Sequence, residues 1–367
     1  MSDMMSSGLS ADELGGVGLA AAIVAGIAVE FVRRMAVRRN VLDLPNERSS
    51  HVTPTPRGGG IAVVGVLMAG WGLSAGWWGG ATAAIASGTL LVAGVSAVDD
   101  VRSLAARTRF AVQILAVAVL LVLSEPWQAI ALPGLGGIPT VGWAGLLSGG
   151  LVAVWCVGLT NAFNFMDGID GIAASQATVA GGAWAVVGWV LGEPVAGLTG
   201  GLVVGASLGF LVHNWSPARI FMGDVGSASL GFVFAALPVI AAARLGGEVS
   251  ARMPVAGVLF VWPFVFDAVF TFVQRFRAGE NVLEAHRSHV YQRMVIAGHT
   301  HRAVATLYAM LGVFASTCGV LWLLSGSGLS ACVGLGLVPL ILLGVRRRVE
   351  RRAPPPVARP TQGSEAV

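Results

Sequence analysis

The sequence predicts an all-α polytopic membrane protein of about eleven transmembrane helices, with its N-terminus outside and its C-terminus in the cytoplasm. Three observations predict it. Hydrophobic residues make up 55% of the chain and charged residues 11%, against about a quarter charged in soluble domains. Apolar runs long enough to cross a bilayer recur along the whole chain. The basic residues, all of them arginine, collect in alternate polar segments between those runs.

The runs lie near residues 14–32, 60–78, 82–98, 110–124, 143–160, 172–191, 197–213, 227–243, 254–273, 303–324 and 328–345. Lipid offers no partner to an open backbone group, so each run is expected to be a helix. The 51 glycines suit helices packed closely on one another. Asp12 and Glu13 precede the first run, and Arg33, Arg34, Arg38 and Arg39 follow it. That charge order marks a retained helix, not a cleaved secretory signal. If the segment after this helix is cytoplasmic, 21 of the 23 arginines fall on that side, and only Arg244 and Arg252 fall outside. Residues 1–345 read as one transmembrane domain. Residues 346–367 read as a basic, Pro-rich cytoplasmic tail, expected to be disordered against anionic headgroups. Cys156, Cys318 and Cys332 all sit in apolar stretches without metal-ligand spacing. Arginines scattered between apolar runs do not make a nucleic-acid surface.

The unusual polar residues fall at span boundaries on the inferred cytoplasmic side. Asp43-Leu-Pro-Asn46-Glu-Arg48-Ser-Ser-His51 runs on to Arg57-Gly-Gly-Gly60, a Pro- and Gly-rigidified loop whose Arg48, His51 and Arg57 suit an anion. Asp99-Asp100 ends an apolar run and is followed by Arg102, Arg107 and Arg109. Adjacent carboxylates repel, and carboxylates at a helix C-terminus oppose the macrodipole, so the pair favours a nearby cation. In Asn161-Ala-Phe-Asn164-Phe-Met-Asp167-Gly-Ile-Asp170, amides and acids recur every three residues. On a helix that spacing gives one slowly drifting face of hard oxygen donors, suited to Mg²⁺. Gly223-Asp224-Val-Gly226-Ser227 opens an apolar run as a turn that offers backbone N–H groups to phosphate beside one carboxylate. Asp267 lies inside a run as either a structural partner or a catalyst, and His286-Arg287-Ser288-His289 follows as a candidate anion grip. His299 and His301 read as loop histidines.

Several carboxylates, asparagines, a helix N-terminus, arginines and histidines on one membrane face make an inventory for a metal–diphosphate complex. Metal and arginine neutralise the diphosphate, which leaves positioning as the main task. The membrane setting argues for a lipid substrate. A transporter is the rival. It would place polar groups near the bilayer midplane, often in inverted repeats, and neither pattern is visible.

The stretches DLPNERSSHVTPTPRGGG, VDDVRSLAARTR, NAFNFMDGIDGIA, NWSPARIFMGDVGS and EAHRSHVYQR, in this order over residues 43–293, resemble the polyprenyl-phosphate N-acetylhexosamine-1-phosphate transferases, glycosyltransferase family 4. This family includes phospho-MurNAc-pentapeptide translocase and the initiators of O-antigen and lipopolysaccharide synthesis. The resemblance implies a multi-pass enzyme of the bacterial inner membrane. Its reaction joins a UDP-HexNAc and an undecaprenyl or decaprenyl phosphate, giving polyprenyl-diphospho-HexNAc and UMP. The cofactor it implies is Mg²⁺, with Mn²⁺ as a substitute, and a homodimer is one assembly it admits. By the same resemblance Asp99 takes the proton from the lipid phosphate, with Asp100 beside it, and Asp224 and Asn164 hold the metal. Asp170 contacts the uracil, while Asn161, Asp167 and Arg57 line the substrate site. Arg107 sits near the lipid phosphate, and His286, Arg287 and His289 contact diphosphate and sugar. The histidine run of the translocase branch is absent from the last loop. His286 replaces an Asp of the GlcNAc-using initiators, and Tyr291 and Gln292 replace their later histidines. HRSHVYQ looks closer to enzymes that transfer 6-deoxy-HexNAc phosphates such as FucNAc or QuiNAc.

Overall fold

The computed structural model describes residues 9–45, 53–74, 79–102, 104–140, 143–282, 284 and 286–352. Asn46, Arg48 and His51 lie outside these residues. Thirteen helices and two short hairpins make up the described chain: α1 (Ala11–Arg38), β1 (Leu42–Asp43), β2 (Thr55–Pro56), α2 (Gly60–Leu73), α3 (Gly80–Arg102), α4 (Ala106–Leu123), β3 (Ala129–Leu132), β4 (Gly136–Pro139), α5 (Trp143–Phe165), α6 (Ile172–Leu191), α7 (Pro194–Asn214), α8 (Asp224–Leu245), α9 (Gly247–Phe260), α10 (Trp262–Arg277), α11 (Val290–Ile296), α12 (His301–Ser325) and α13 (Gly328–Arg352). Among the described residues nine helices are long and apolar enough to span a membrane, and α9 with α10 forms a further apolar pair with a sharp bend between them.

The bundle is arranged around α8, whose apolar window is buried along its whole length. It packs on α3, α5 and α9. α7 lies between α6 and α1, and glycine permits the close approach there: a Cβ at Gly209 would sit 2.8 Å from the Ala25 Cβ. α1 starts with a capping box in which the Glu13 amide donates to Ser10 Oγ at 3.2 Å and the Ser10 amide to Glu13 Oε2 at 2.8 Å. Between α4 and α5, Ala129–Leu132 and Gly136–Pro139 pair as the β3–β4 hairpin, and β3 packs on α9. The two arginines that broke the charge pattern both tie helices together. Arg244 pairs with the buried Glu193 that caps α7. Arg252 donates to the Leu323 carbonyl at 3.2 Å and lies over the Trp322 ring.

Three expected elements differ. The run at 60–78 yields a helix of only 14 residues among those described, shorter than the roughly 17–25 needed to cross unaided. The expected straight span at 254–273 is two helices, α9 and α10, meeting at 73°. Pro263 has no N–H to donate, so the ladder breaks there; the Phe264 and Val265 amides both turn to the Val261 carbonyl, at 3.1 Å each. The Phe260 carbonyl, freed by the break, accepts instead from Gln176 Nε2 on α6 at 2.9 Å. The tail expected from residue 346 starts later, because α13 continues to Arg352. Buried Arg346 bonds Glu350 at 2.7 Å and lies 4.9 Å from the Phe270 ring centre, which holds that extra turn against α10. Residues 353–367 lie outside the described residues.

Candidate functional site

Every polar cluster singled out in the sequence, within the described residues, arrives at one end of the bundle. The Arg57-Gly-Gly-Gly60 loop and the Gly223-Asp224 turn are fastened backbone to backbone. The Phe221 amide donates to the Pro56 carbonyl at 2.8 Å, the Gly59 amide to Phe221 at 3.0 Å and the Gly60 amide to Met222 at 2.9 Å. A Cβ at Gly60 would overlap the Gly226 backbone, so both motifs need glycine where they cross. This clasp sets the N-terminus of α8, with Asp224 as its first residue, beside the guanidinium of Arg57. Arg57 Nη2 in turn donates to the Asp100 carbonyl at 2.5 Å, and its Nη1 lies 3.9 Å from Asp100 Oδ1.

The adjacent aspartates of α3 have different surroundings. Asp99 Oδ1 accepts from the Leu104 amide at 2.5 Å, and Oδ2 accepts from Arg109 Nη1 at 2.9 Å. Asp99 therefore closes the α3–α4 turn. Asp100 lies within the field of Asp224, as Asp99 does, and rests against the Gly223 turn, where a Cβ would lie 3.5 Å from Oδ2. Arg107 is exposed on the first turn of α4. Of the α4 arginines, Arg109 meets the acidic pair, through Asp99.

The Asn/Asp stripe is half helix and half turn. α5 carries Asn161 and Asn164 and ends at Phe165; Asp167 and Asp170 lie in the turn before α6. Gly171, at φ 76°, ends that turn in a conformation β-carbons resist. Asn161 does not face the acids. Its amide is exchanged with Gln113 of α4, Nδ2 to Oε1 at 2.7 Å, and also donates to the Val157 carbonyl at 2.7 Å. Asn164 does face them: its side chain lies beside Asp224, and its Oδ1 accepts from Ser227 Oγ at 2.5 Å. Burial pushes the Asp167 carboxyl up to about 7, and the charges of Asp224 and Asp170 add to the rise. Burial would raise Asp170 too, but bonds from His301, Ser216 and the Ala218 amide outweigh it and hold this carboxyl below its usual range.

The last loop is set by Asp267, which is fully buried. It accepts from the Val290 amide at 2.8 Å, the Tyr291 amide at 3.2 Å, Thr271 Oγ1 at 3.1 Å and the Tyr308 hydroxyl at 2.5 Å, and its Oδ1 lies 3.3 Å from His289 Nδ1. Asp267 is thus a structural anchor. His286 stacks near His289, ring centres 4.9 Å apart, and its Nδ1 accepts from the Ser288 amide at 3.3 Å. Burial, then the neighbouring positive charges of His289 and Arg275, lowers His286 to about 4. At pH 7 such a group is an uncharged hydrogen-bonding partner. In this loop Arg287 carries the permanent charge.

Asp100, Asp167 and Asp224 share one field with Asn164 and Arg57. Among the described residues no three His, Cys, Asp or Glu side chains form a closed metal cage. Mg²⁺ is usually held by one or two carboxylates with water and substrate phosphates, and the Asp224–Asn164 pair fits that mode.

Residues 82–242 match the family described as glycosyl transferase family 4. The chain is 34% identical over 339 residues to a decaprenyl-phosphate N-acetylglucosaminephosphotransferase of Mycobacterium leprae, covering 84% of each. It is 28% identical over 295 residues to a probable undecaprenyl-phosphate N-acetylglucosaminyl 1-phosphate transferase of Bacillus subtilis, covering 80% of each. A phospho-N-acetylmuramoyl-pentapeptide-transferase of Geobacillus thermodenitrificans is 30% identical over 316 residues, 80% of this chain and 93% of its own. The described parts of the five motif stretches meet at one end of the helical bundle, the relatives match 80–84% of the chain, and the chain belongs to the glycosyl transferase family 4 of polyprenyl-phosphate N-acetylhexosamine-1-phosphate transferases.

Proposed function

We propose that the protein transfers GlcNAc-1-phosphate from UDP-GlcNAc to a polyprenyl phosphate, releasing UMP, at the cytoplasmic face of a bacterial plasma membrane. The observation that carries this reading is the meeting of Asp100, Asp167 and Asp224 with Arg57 at one end of a bundle of apolar helices, with the last loop joined to the Asp167 turn where the Tyr291 hydroxyl donates to the Phe165 carbonyl at 3.0 Å. The named activities of the relatives support GlcNAc as the sugar and a polyprenyl phosphate as the acceptor. The arginine distribution supports the cytoplasmic side.

In this reading Asp224 and Asn164 would hold Mg²⁺, which supplies charge neutralisation on the diphosphate when bound. Asp100, on the reaction side, takes the remaining proton of the acceptor phosphate, while Asp99 stays bound to Arg109. The acceptor oxygen attacks the phosphorus that bears the sugar, the bond to the UMP phosphate breaks, and UMP leaves. Arg57 and Arg287 offset the negative charge that two phosphates bring together. Neutral His286 offers a hydrogen bond without adding charge.

The loop sequence HRSHVYQ favours a second donor, a UDP-6-deoxy-HexNAc. Membranes containing the protein, given Mg²⁺, decaprenyl phosphate and a panel of UDP-sugars, will release UMP fastest with UDP-GlcNAc, and EDTA will stop the release. Preference for UDP-FucNAc or UDP-QuiNAc would transfer the assignment to the second donor. No release with any donor would sink the transferase reading.

A further inference from the structure

The Asp170 carboxylate is held from parts of the chain far from it in sequence, and one partner is a histidine read from sequence as an ordinary loop residue. Asp170 Oδ2 accepts from the Ala218 amide at 3.2 Å and lies 3.3 Å from His301 Nδ1. Both side chains are largely buried, Asp170 at 10% exposure and His301 at 15%. His301 is the first residue of α12, directly after Thr300, whose hydroxyl accepts from the Ala303 amide at 3.2 Å. The ring therefore stands on a capped, rigid helix start. Arg302, the next residue, donates from Nε to the Ser216 carbonyl at 2.6 Å. The first turn of α12 thus holds both the carboxylate and the 216–218 loop that shares it. The Asp170 amide also donates to His301 Nδ1, at 3.4 Å, so one ring nitrogen meets both the backbone and the carboxylate of Asp170.

We propose that His301 is a positioning residue for nucleotide recognition, fixing the Asp170 carboxylate so that it accepts from a ring N–H of a uracil-type base. The inference rests on the transferase reading above. The ring does not touch the reacting phosphates, so its loss weakens the grip on the nucleotide and spares the lipid. A carboxylate freed from one of its partners can rotate, and a hydrogen bond that depends on its direction is then weakened.

The test compares H301L, which removes the polar ring nitrogen, with H301N, whose amide group overlays Nδ1, and H301Q, whose amide group overlays Nε2. Purified full-length protein in detergent is assayed for UMP release, and UMP binding is measured by calorimetry. H301L is expected to raise KM for the UDP-sugar and the Kd for UMP roughly tenfold, with KM for polyprenyl phosphate within about twofold of wild type. H301N is expected to stay within roughly threefold of wild type on every constant, as a retained hydrogen bond requires. An active H301L with unchanged donor KM overturns the proposal. So do equal losses in H301L and H301N, or a matched rise in both substrate KM values. If H301L does not fold, H301Q against H301N decides: a donor-specific loss confined to H301Q supports the proposal, and parity overturns it. Failure of the transferase reading shows separately, as a wild type that releases no UMP. UMP titration then stands alone, and equal or absent binding in wild type and the variants overturns the inference.

Discussion

Asp99 and Asp100 are neighbours in sequence with opposite employment. Both oxygens of Asp99 are taken by the Leu104 amide and Arg109, while Asp100 faces Asp224. Replacing Asp100 or Asp224 by Asn is expected to lower the initial rate of UMP release by about a hundredfold or more, the scale of a lost proton acceptor or ligand. Asp99→Asn should cost less, and Arg109→Gln should reproduce its loss; equal rates in D99N and D100N would contradict this division. The acidic pair was legible in sequence, but its division was not, because it depends on a turn that brings Arg109 back over α3. His286 was read as part of an anion grip, and burial lowers its pKa, so it would join that grip through a hydrogen bond. A histidine whose folded pKa is lowered stays neutral above about 4, so the native state takes up fewer protons than the unfolded chain between there and about 6.5. Native stability is therefore lost as pH falls through that window. H286Q should narrow that loss in thermal melts, while the activity profile from about pH 6 to 8 keeps its wild-type shape. Asp167 has the opposite sense. Its carboxyl is raised to about 7, so stability of the metal-free protein falls as pH rises from the ordinary carboxylate range to that point. D167N should raise the melting temperature in EDTA more at pH 8 than at pH 5.5, at the expense of turnover.

At the scale of elements, the apolar runs were legible wherever a single helix crosses. The break between α9 and α10 was not, since 254–273 is apolar apart from Asp267 and Thr271; Pro263 was the available signal, and its effect shows only when the freed Phe260 carbonyl finds Gln176 across the bundle. The Asn/Asp stripe was legible as chemistry but not as shape, because Gly168 and Gly171 convert its second half to a turn. Likewise the Arg57-Gly-Gly-Gly60 and Gly223-Asp224-Val-Gly226 motifs each suggested a phosphate loop, yet neither reveals that the other is its partner. Their crossing gives a sharp expectation. Gly60→Ala puts a Cβ into the Gly226 backbone and should cost about 1–3 kcal/mol of stability, the range for overpacked sites. It should also depress kcat by displacing Asp224, whereas Gly65→Ala on the same helix, where a Cβ meets nothing within 4 Å, should do neither.

For the whole molecule, composition and arginine placement were sufficient to predict a polytopic helical bundle with its chemistry at one end. The inferred orientation is open to a direct check. In a cysteine-free background, Leu135→Cys at the exposed tip of the β3–β4 hairpin should react with a membrane-impermeant maleimide in intact cells. Arg348→Cys near the end of α13 should react only after the membrane is opened, and the reverse pattern would invert the topology. What sequence did not show is the rank of the helices within the bundle. α8 is apolar enough to enter lipid on its own, yet in the finished protein its apolar window meets no lipid at all. α4 and α13, with about a fifth of their windows buried, keep most of their surface toward acyl chains. The helix that begins at Asp224 is thus the one whose neighbours must all detach before it can. Its amides should be the last in the protein to exchange with deuterium, while exchange begins in α4 and α13. Solvents that strip annular lipid will then loosen the rim well before they disturb the acidic centre.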